Sequence, residues 1–156
     1  MIEIEPATPA DAQSIYGLLT DCDLSTLELL EPGTVYLVAR LGEKVVGVCG
    51  LEFDGESALL RSVAVDNDER GRGIAKALID DALRELHRRS IRVLFLFSKD
   101  TGAYFENLGW MEVPVSEAAD ALRQAPQVKR YDRVGWYFNE RAYRIYLAGD
   151  IRDSLC

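Results

Sequence analysis

The chain has 156 residues, 48% of them apolar and 28% charged, with 26 acidic against 18 basic side chains and a net charge of -8. That length suits a single domain over residues 1–156, and the balance is that of an ordinary globular protein rather than a disordered or membrane-embedded one. The acidic excess opposes general binding to nucleic acid or anionic membranes, since both are polyanions, so an anionic ligand needs a local basic site.

In chain order, residues 2–5 alternate Ile and Glu as a short strand, and the N-terminal stretch has no long apolar run of the kind a signal peptide or membrane span requires. A cytoplasmic protein with no membrane partner is the expectation. Thr8-Pro9-Ala10-Asp11 reads as an N-cap, a proline in the first turn and an acidic residue behind it, opening a helix to about Thr20. A short helix is predicted through Leu24–Leu30, closed by Glu31-Pro32-Gly33. Three β-rich runs follow, Thr34–Arg40, Lys44–Phe53 and Ser57–Val65, separated by Leu41-Gly42-Glu43 and Asp54-Gly55-Glu56, which are turns of hairpin length. They make an antiparallel meander.

From Gly73 to Arg89, Ile74, Ala77, Leu78, Leu83 and Leu86 recur at helical spacing among charges, and Ile91–Phe97 is a continuous apolar run typical of a strand buried on both faces. Strand, helix and strand together form a crossover that sets its two strands parallel. A helix over Thr101–Leu108, a strand over Trp110–Val113, a helix over Ser116–Gln124 and a strand over Arg141–Leu147 complete the pattern, with residues 125–140 carrying no clear signal. Cys22, Cys49 and Cys156 are odd in number and lack CxxC spacing, so free thiols are expected and no metal. His87 is the sole histidine and falls near a helix end, which argues against histidine-based catalysis.

The chemistry-bearing stretch runs from Leu60 to Lys76. A strand ends at Val65, a polar turn follows, and Gly71 and Gly73 open a helix whose free amide donors and dipole suit a diphosphate. Arg70, Arg72 and Lys76 add positive charge there. A bare GxG is equally a tight turn, but two rival phosphate motifs fail: Gly73 is followed by Ile-Ala rather than Lys-Ser/Thr, and Lys76 stands where GxGxxG needs its third glycine.

Arg70-Gly71-Arg72-Gly73-Ile74-Ala75, preceded by Val63-Ala64-Val65, resembles the Q/R-x-x-G-x-G/A coenzyme A signature of the GNAT superfamily of N-acetyltransferases. Ile4–Asp11, the meander, the crossover helix and Tyr104-Phe105-Glu106-Asn107-Leu108-Gly109-Trp110 resemble family landmarks in the family order, over about residues 2–113. The resemblance implies an α/β (α+β) fold with a mixed, mostly antiparallel central sheet of about six to seven strands and helices on both faces. It implies acetyl-CoA as cosubstrate, with Val63 and Val65 on the pantetheine arm and Arg70, Gly71, Arg72, Gly73, Ile74, Ala75 and Lys76 on the phosphates. The Val63 amide would polarise the acetyl carbonyl.

The family's catalytic groups are not all matched. Phe105 stands where the family often has an acidic tyrosine, and Tyr104, one residue along the helix, points about 100° away, so core packing is its expected part. Leu59 and Arg61 occupy the usual glutamate positions. Glu52 is the candidate general base, with a solvated surface residue as the alternative. Arg61 is a strand cation that needs an anionic partner, either a substrate carboxylate or Glu52. The segment 127–138 interleaves Lys129, Arg130 and Arg133 with Tyr131, Trp136, Tyr137 and Phe138, which fits a wall of the substrate site or a subunit interface, so a homodimer stays open. Arg61, Lys129 and Arg130 are the candidates for holding the acceptor. The expected activity is acetylation of a small amine, an amino acid or its analogue, resembling the small-molecule branch of the family. The alternatives are a protein or peptide N-acetyltransferase and an acyl-CoA-binding module without turnover.

Overall fold

The computed structural model describes residues 1–26, 29, 31–135 and 140–147. Its strands are β1 (Ile2–Pro6), β2 (Thr34–Leu41), β3 (Lys44–Asp54), β4 (Ser57–Val65), β5 (Val93–Ser98), β6 (Met111–Val113) and β7 (Arg141–Tyr146). The helices are α1 (Ala12–Asp21), α2 (Ile74–Arg88), α3 (Gly102–Asn107), α4 (Val115–Ala121) and α5 (Pro126–Val134). The strands form one sheet in the order β1-β2-β3-β4-β5-β7-β6.

The meander forms as its turns dictate. Gly42 and Gly55 each take a positive φ as first residue of a two-residue hairpin loop, which only glycine does without cost. β1 pairs antiparallel with β2, with Ile4 opposite Ala39, and β7 pairs antiparallel with both β5 and β6. The crossover is parallel, as its connection requires, and its ladder joins Ser57–Leu59 to Val93–Phe95.

Some elements differ from the sequence reading. Pro9–Asp11 is a 3-10 turn and α1 begins only at Ala12, with the Thr8 amide donating to the Asp11 carboxylate at 2.9 Å. Residues 24–26 are irregular rather than helical, and the rest of the predicted Leu24–Leu30 helix falls mostly outside the described residues. Ile91 and Arg92 precede β5 because the Ile91 amide closes the end of α2 on Leu86 O. The unassigned stretch after residue 125 contains α5, while Trp136, Tyr137 and Phe138 lie outside the described residues.

By packing, the chain divides into two compact units. The first comprises Met1–Leu51 and Arg61–Glu85, with a core of Ile15, Leu18, Leu19, Tyr36, Val38, Val48 and Ala64. Here α2 lies directly on β3: a Cβ on Gly47 would stand 2.9 Å from the Ile74 side chain, so the glycine permits the close approach. The second comprises Glu52–Leu60 and the described residues from Leu86 onward, with a core of Leu59, Phe95, Val113, Ala118, Ala119, Leu122, Ala125, Val128 and Ala142. Among the described residues, no helix is long and apolar enough to cross a membrane.

Candidate active site

In the first unit, the segment between β4 and α2 builds a cradle of backbone. Gly71 has φ +81° and Gly73 φ +76°, both in the left-handed region, and a Cβ on either would meet nothing within 4 Å. The space beside both is open, and the strain of a side chain there would be in the backbone. The Ala77 amide donates to Gly73 O at 3.0 Å, so the regular hydrogen bonding of α2 is running by that point, and the amides ahead of it form the positive end of the helix dipole. Ile74 is buried and anchors the turn, whereas Arg70, Arg72 and Lys76 are exposed.

Each cation has a neighbour on the protein. Lys76 Nζ lies 2.8 Å from Asp80, and Arg72 lies 3.1 Å from Glu69 in a charge contact without hydrogen-bond alignment. The Arg70 guanidinium donates to Cys22 Sγ at 3.5 Å. The Lys76 pair is exposed, and pairs of that kind are worth about 0–1 kcal/mol, so a polyphosphate can displace it. Helix-terminal amides, open glycines and three exposed cations are a donor set that fits a diphosphate without a metal-ligating side chain.

β4 carries a second feature that the sequence does not show. Ser62 adopts φ +59° inside the strand, so the extended backbone is interrupted just before Val63. A non-glycine residue held there costs of order 1–3 kcal/mol and re-aims the backbone that follows. Serine is no signal for this conformation, which is why sequence reasoning passed over it. Val63 and Val65 remain half-buried at the end of the strand, leading into the glycine cradle.

Arg61 is 8% exposed, and its Nε donates to Ser62 Oγ at 3.0 Å. Its stem lies against Gly50, where a Cβ would come within 3.3 Å of Arg61 Cγ and 2.8 Å of the Tyr36 ring. The guanidinium is therefore a buried cation in fixed packing.

In the second unit, Glu52 is fully buried, which corrects the alternative of a solvated surface residue. Its Oε1 accepts from the Gln127 amide at 2.9 Å. That amide is in the first turn of α5, whose N-cap is Ala125, a residue with no side chain able to cap. Glu52 thus takes over the capping of α5 and places a carboxylate at its positive end. Lys129 is exposed and Arg130 half-buried on the same helix. Gln127 Nε2 donates to Tyr131 Oη at 2.7 Å, and Tyr131 Oη donates to Glu140 Oε1 at 3.2 Å. The Tyr131 ring packs at 5.7 Å from Phe97. These residues were reachable from sequence: Pro126 in the first turn and Gly135 at the end of α5 are the ordinary helix-start and helix-stop residues.

Tyr104 is 46% exposed, so the expectation of core packing is corrected: its ring stands edge-on to Phe105 at 5.1 Å with one side in solvent. Phe105 takes the core position, 8% exposed and edge-on to Trp110 at 5.6 Å. Cys49 is buried with its thiol pushed up to about 12, by desolvation first and by Asp81 second, and is therefore inert.

The glycine cradle at the head of α2, after an interrupted β4 in a mixed seven-stranded sheet, defines a class that comparison with known proteins identifies. The family model of the acetyltransferase (GNAT) domain matches residues 32–112, and the chain belongs to that family. It is 36% identical over 108 residues to an N-acetylaspartate synthetase of Xenopus tropicalis, covering 65% of this chain and 40% of the relative. Among solved structures it resembles N-acetylglutamate synthase of Neisseria gonorrhoeae complexed with coenzyme A and N-acetylglutamate, with a TM-score of 0.77 at 18% identity over 94% of this chain and 35% of that one. A Mycobacterium tuberculosis protein crystallised with coenzyme A superposes with a TM-score of 0.73 at 20% identity, over 93% of this chain and 99% of that chain. The chain therefore spans well under half the length of the two synthases it matches.

Proposed function

We propose that the protein transfers the acetyl group of acetyl-CoA to the amine of a small acceptor, an amino acid or amino-acid analogue. The observation that carries this reading is the cradle: two left-handed glycines on either side of Arg72, with open space beside them, at a helix N-terminus that also carries Arg70 and Lys76. The relatives add to it, since two of them are named for acetylated acidic amino acids.

In this reading the residues from Arg70 to Lys76, with Ile74 and Ala75 as backbone contributors, hold the phosphates, and Val63 and Val65 hold the pantetheine arm. Acetyl-CoA supplies an activated thioester. The Val63 amide, re-aimed by Ser62, donates to the acetyl carbonyl as negative charge develops on it. The amine attacks directly, so no covalent enzyme intermediate is formed and orientation supplies much of the rate. Glu52 is the carboxylate put forward to take the amine proton, and Glu52→Gln, which keeps an oxygen for Gln127, tests that part. Arg61 binds an acceptor carboxylate, with Lys129 and Arg130 as further cationic candidates. Replacing Arg61 by Lys retains the charge but not the planar fork, and is expected to raise KM for an amino acid while acetyl-CoA affinity holds.

The deciding experiment is thiol release from acetyl-CoA with L-aspartate, L-glutamate, spermidine and a lysine-bearing peptide as acceptors. Turnover with an amino acid is expected. Turnover with the peptide or polyamine alone favours a protein or polyamine acetyltransferase. Binding of acetyl-CoA without turnover favours the acyl-CoA-binding module, a reading that Phe105 supports because it offers no hydroxyl to the departing thiolate.

A further inference from the structure

Glu140 is a carboxylate out of balance with its surroundings. Two other carboxylates are each matched by a cation: Asp11 by Arg40, and Glu117 by Arg144. Glu140 is half-buried, yet among the described residues its one hydrogen bond comes from the neutral Tyr131 hydroxyl, and Lys99 acts on it only at longer range. Arg141, its neighbour in sequence, is turned to Glu112 at 3.3 Å. An ionised carboxylate has room for about four hydrogen bonds, so a half-desolvated one holding a single neutral donor has capacity for a cation.

Its place in the sheet is defined as well. Arg141 pairs with Ser98, the last residue of β5, which puts Glu140 at the carboxyl end of that strand. β5 is parallel to β4, and crevices at the carboxyl ends of parallel strands are where ligands of such sheets bind. Tyr131 is fixed from two sides, by the Phe97 ring and by the Gln127 amide group one helical turn before it. Its hydroxyl gives its proton to Glu140 and so orients one carboxylate oxygen.

We infer that Glu140, oriented by Tyr131, seats the ammonium group of the amine acceptor. The inference rests on the acetyltransferase reading above and names how that reaction recognises its amine. A primary ammonium has three donors and a full charge, which matches a carboxylate short of both. The seat needs Glu140 ionised. Burial pushes its carboxyl up, while the Tyr131 hydroxyl and the Lys99 charge oppose that. Ammonium affinity therefore rises as pH passes upward through the raised value, and removing the Tyr131 hydroxyl moves that limb to higher pH.

The test compares wild type, Glu140→Gln and Tyr131→Phe, each verified as folded by circular dichroism and by acetyl-CoA calorimetry. Thiol release is followed against the concentration of L-aspartate, L-glutamate, spermidine and a lysine-bearing peptide, at several pH values. Gln at position 140 still accepts from Tyr131, so a purely structural role leaves the kinetics unmoved. The seat predicts a rise of about tenfold or more in KM for whichever amine is acetylated, with the acidic limb lost and acetyl-CoA affinity unchanged. Tyr131→Phe is expected to shift that limb upward, and it serves alone if Glu140→Gln does not fold. If only spermidine or the peptide is acetylated and Glu140→Gln depresses that reaction, the amino-acid function fails and the seat stands. If an amino acid is acetylated with the same KM and pH profile in the variants, the seat is overturned and the function stands. If wild type acetylates none of the four, both are overturned.

Discussion

Gly73 is the residue on which the cofactor reading turns. A Cβ there meets no atom within 4 Å, so a substituted side chain is not excluded by packing, only by φ +76° and by whatever ligand lies against the turn. Gly73→Val is accordingly expected to give a folded protein whose acetyl-CoA affinity, measured by calorimetry, falls by about tenfold or more, because a β-branched side chain resists the left-handed region and covers the amides that a phosphate approaches. Unchanged affinity in a folded variant refutes the cradle. The motif itself was legible, since two glycines among arginines at a strand-to-helix junction resemble the coenzyme A signature, whereas the left-handed Ser62 had no sequence signal because serine has no special preference for that conformation.

Two elements depend on side chains distant in sequence. Glu52 on β3 caps α5 across a separation that no local motif encodes. Glu52→Ala is expected to destabilise the protein by about 1–3 kcal/mol in denaturant unfolding, through loss of the cap and an orphaned buried amide. Glu52→Gln is expected to recover most of it, because its amide oxygen still accepts from Gln127. A full loss in both variants points to the charge rather than the hydrogen bond. At the other end of the chain, Asp11 ties the 3-10 turn before α1 to β2, through an ion pair with Arg40 at 2.7 Å. The Arg40 hydrogen bond, then the Thr8 amide, hold its carboxyl below the ordinary value of 3.8. A lowered folded value means that the stabilisation is present at neutral pH and is lost as pH falls through that lowered value. Asp11→Asn should therefore lower Tm at pH 7, and the gap from wild type should close in thermal melts taken progressively below about pH 4. A gap that persists at the acid end would place the effect in packing instead.

At the scale of the molecule, a net charge of -8 is combined with a cluster of cations at one helix N-terminus. Long-range repulsion disfavours an extended polyanion, while a compact one bearing a few phosphates meets mainly the local cluster. No mobility shift is expected with duplex DNA or RNA at physiological salt, under conditions where acetyl-CoA binds. A shift at micromolar protein would show that the basic residues of α5 outweigh the overall charge. By itself the sequence determined the meander, the parallel crossover, the glycine cradle and the family, because hairpin glycines, helical spacing and a buried strand are written in neighbouring residues. Tertiary structure alone decided that Glu52 is a buried cap rather than a surface carboxylate, that Tyr104 faces solvent while Phe105 takes the core, and that Glu140 meets Tyr131 at the end of β5. Each of these depends on how residues distant in the chain pack, and the burial or exposure that gives it meaning exists only once the elements have come together.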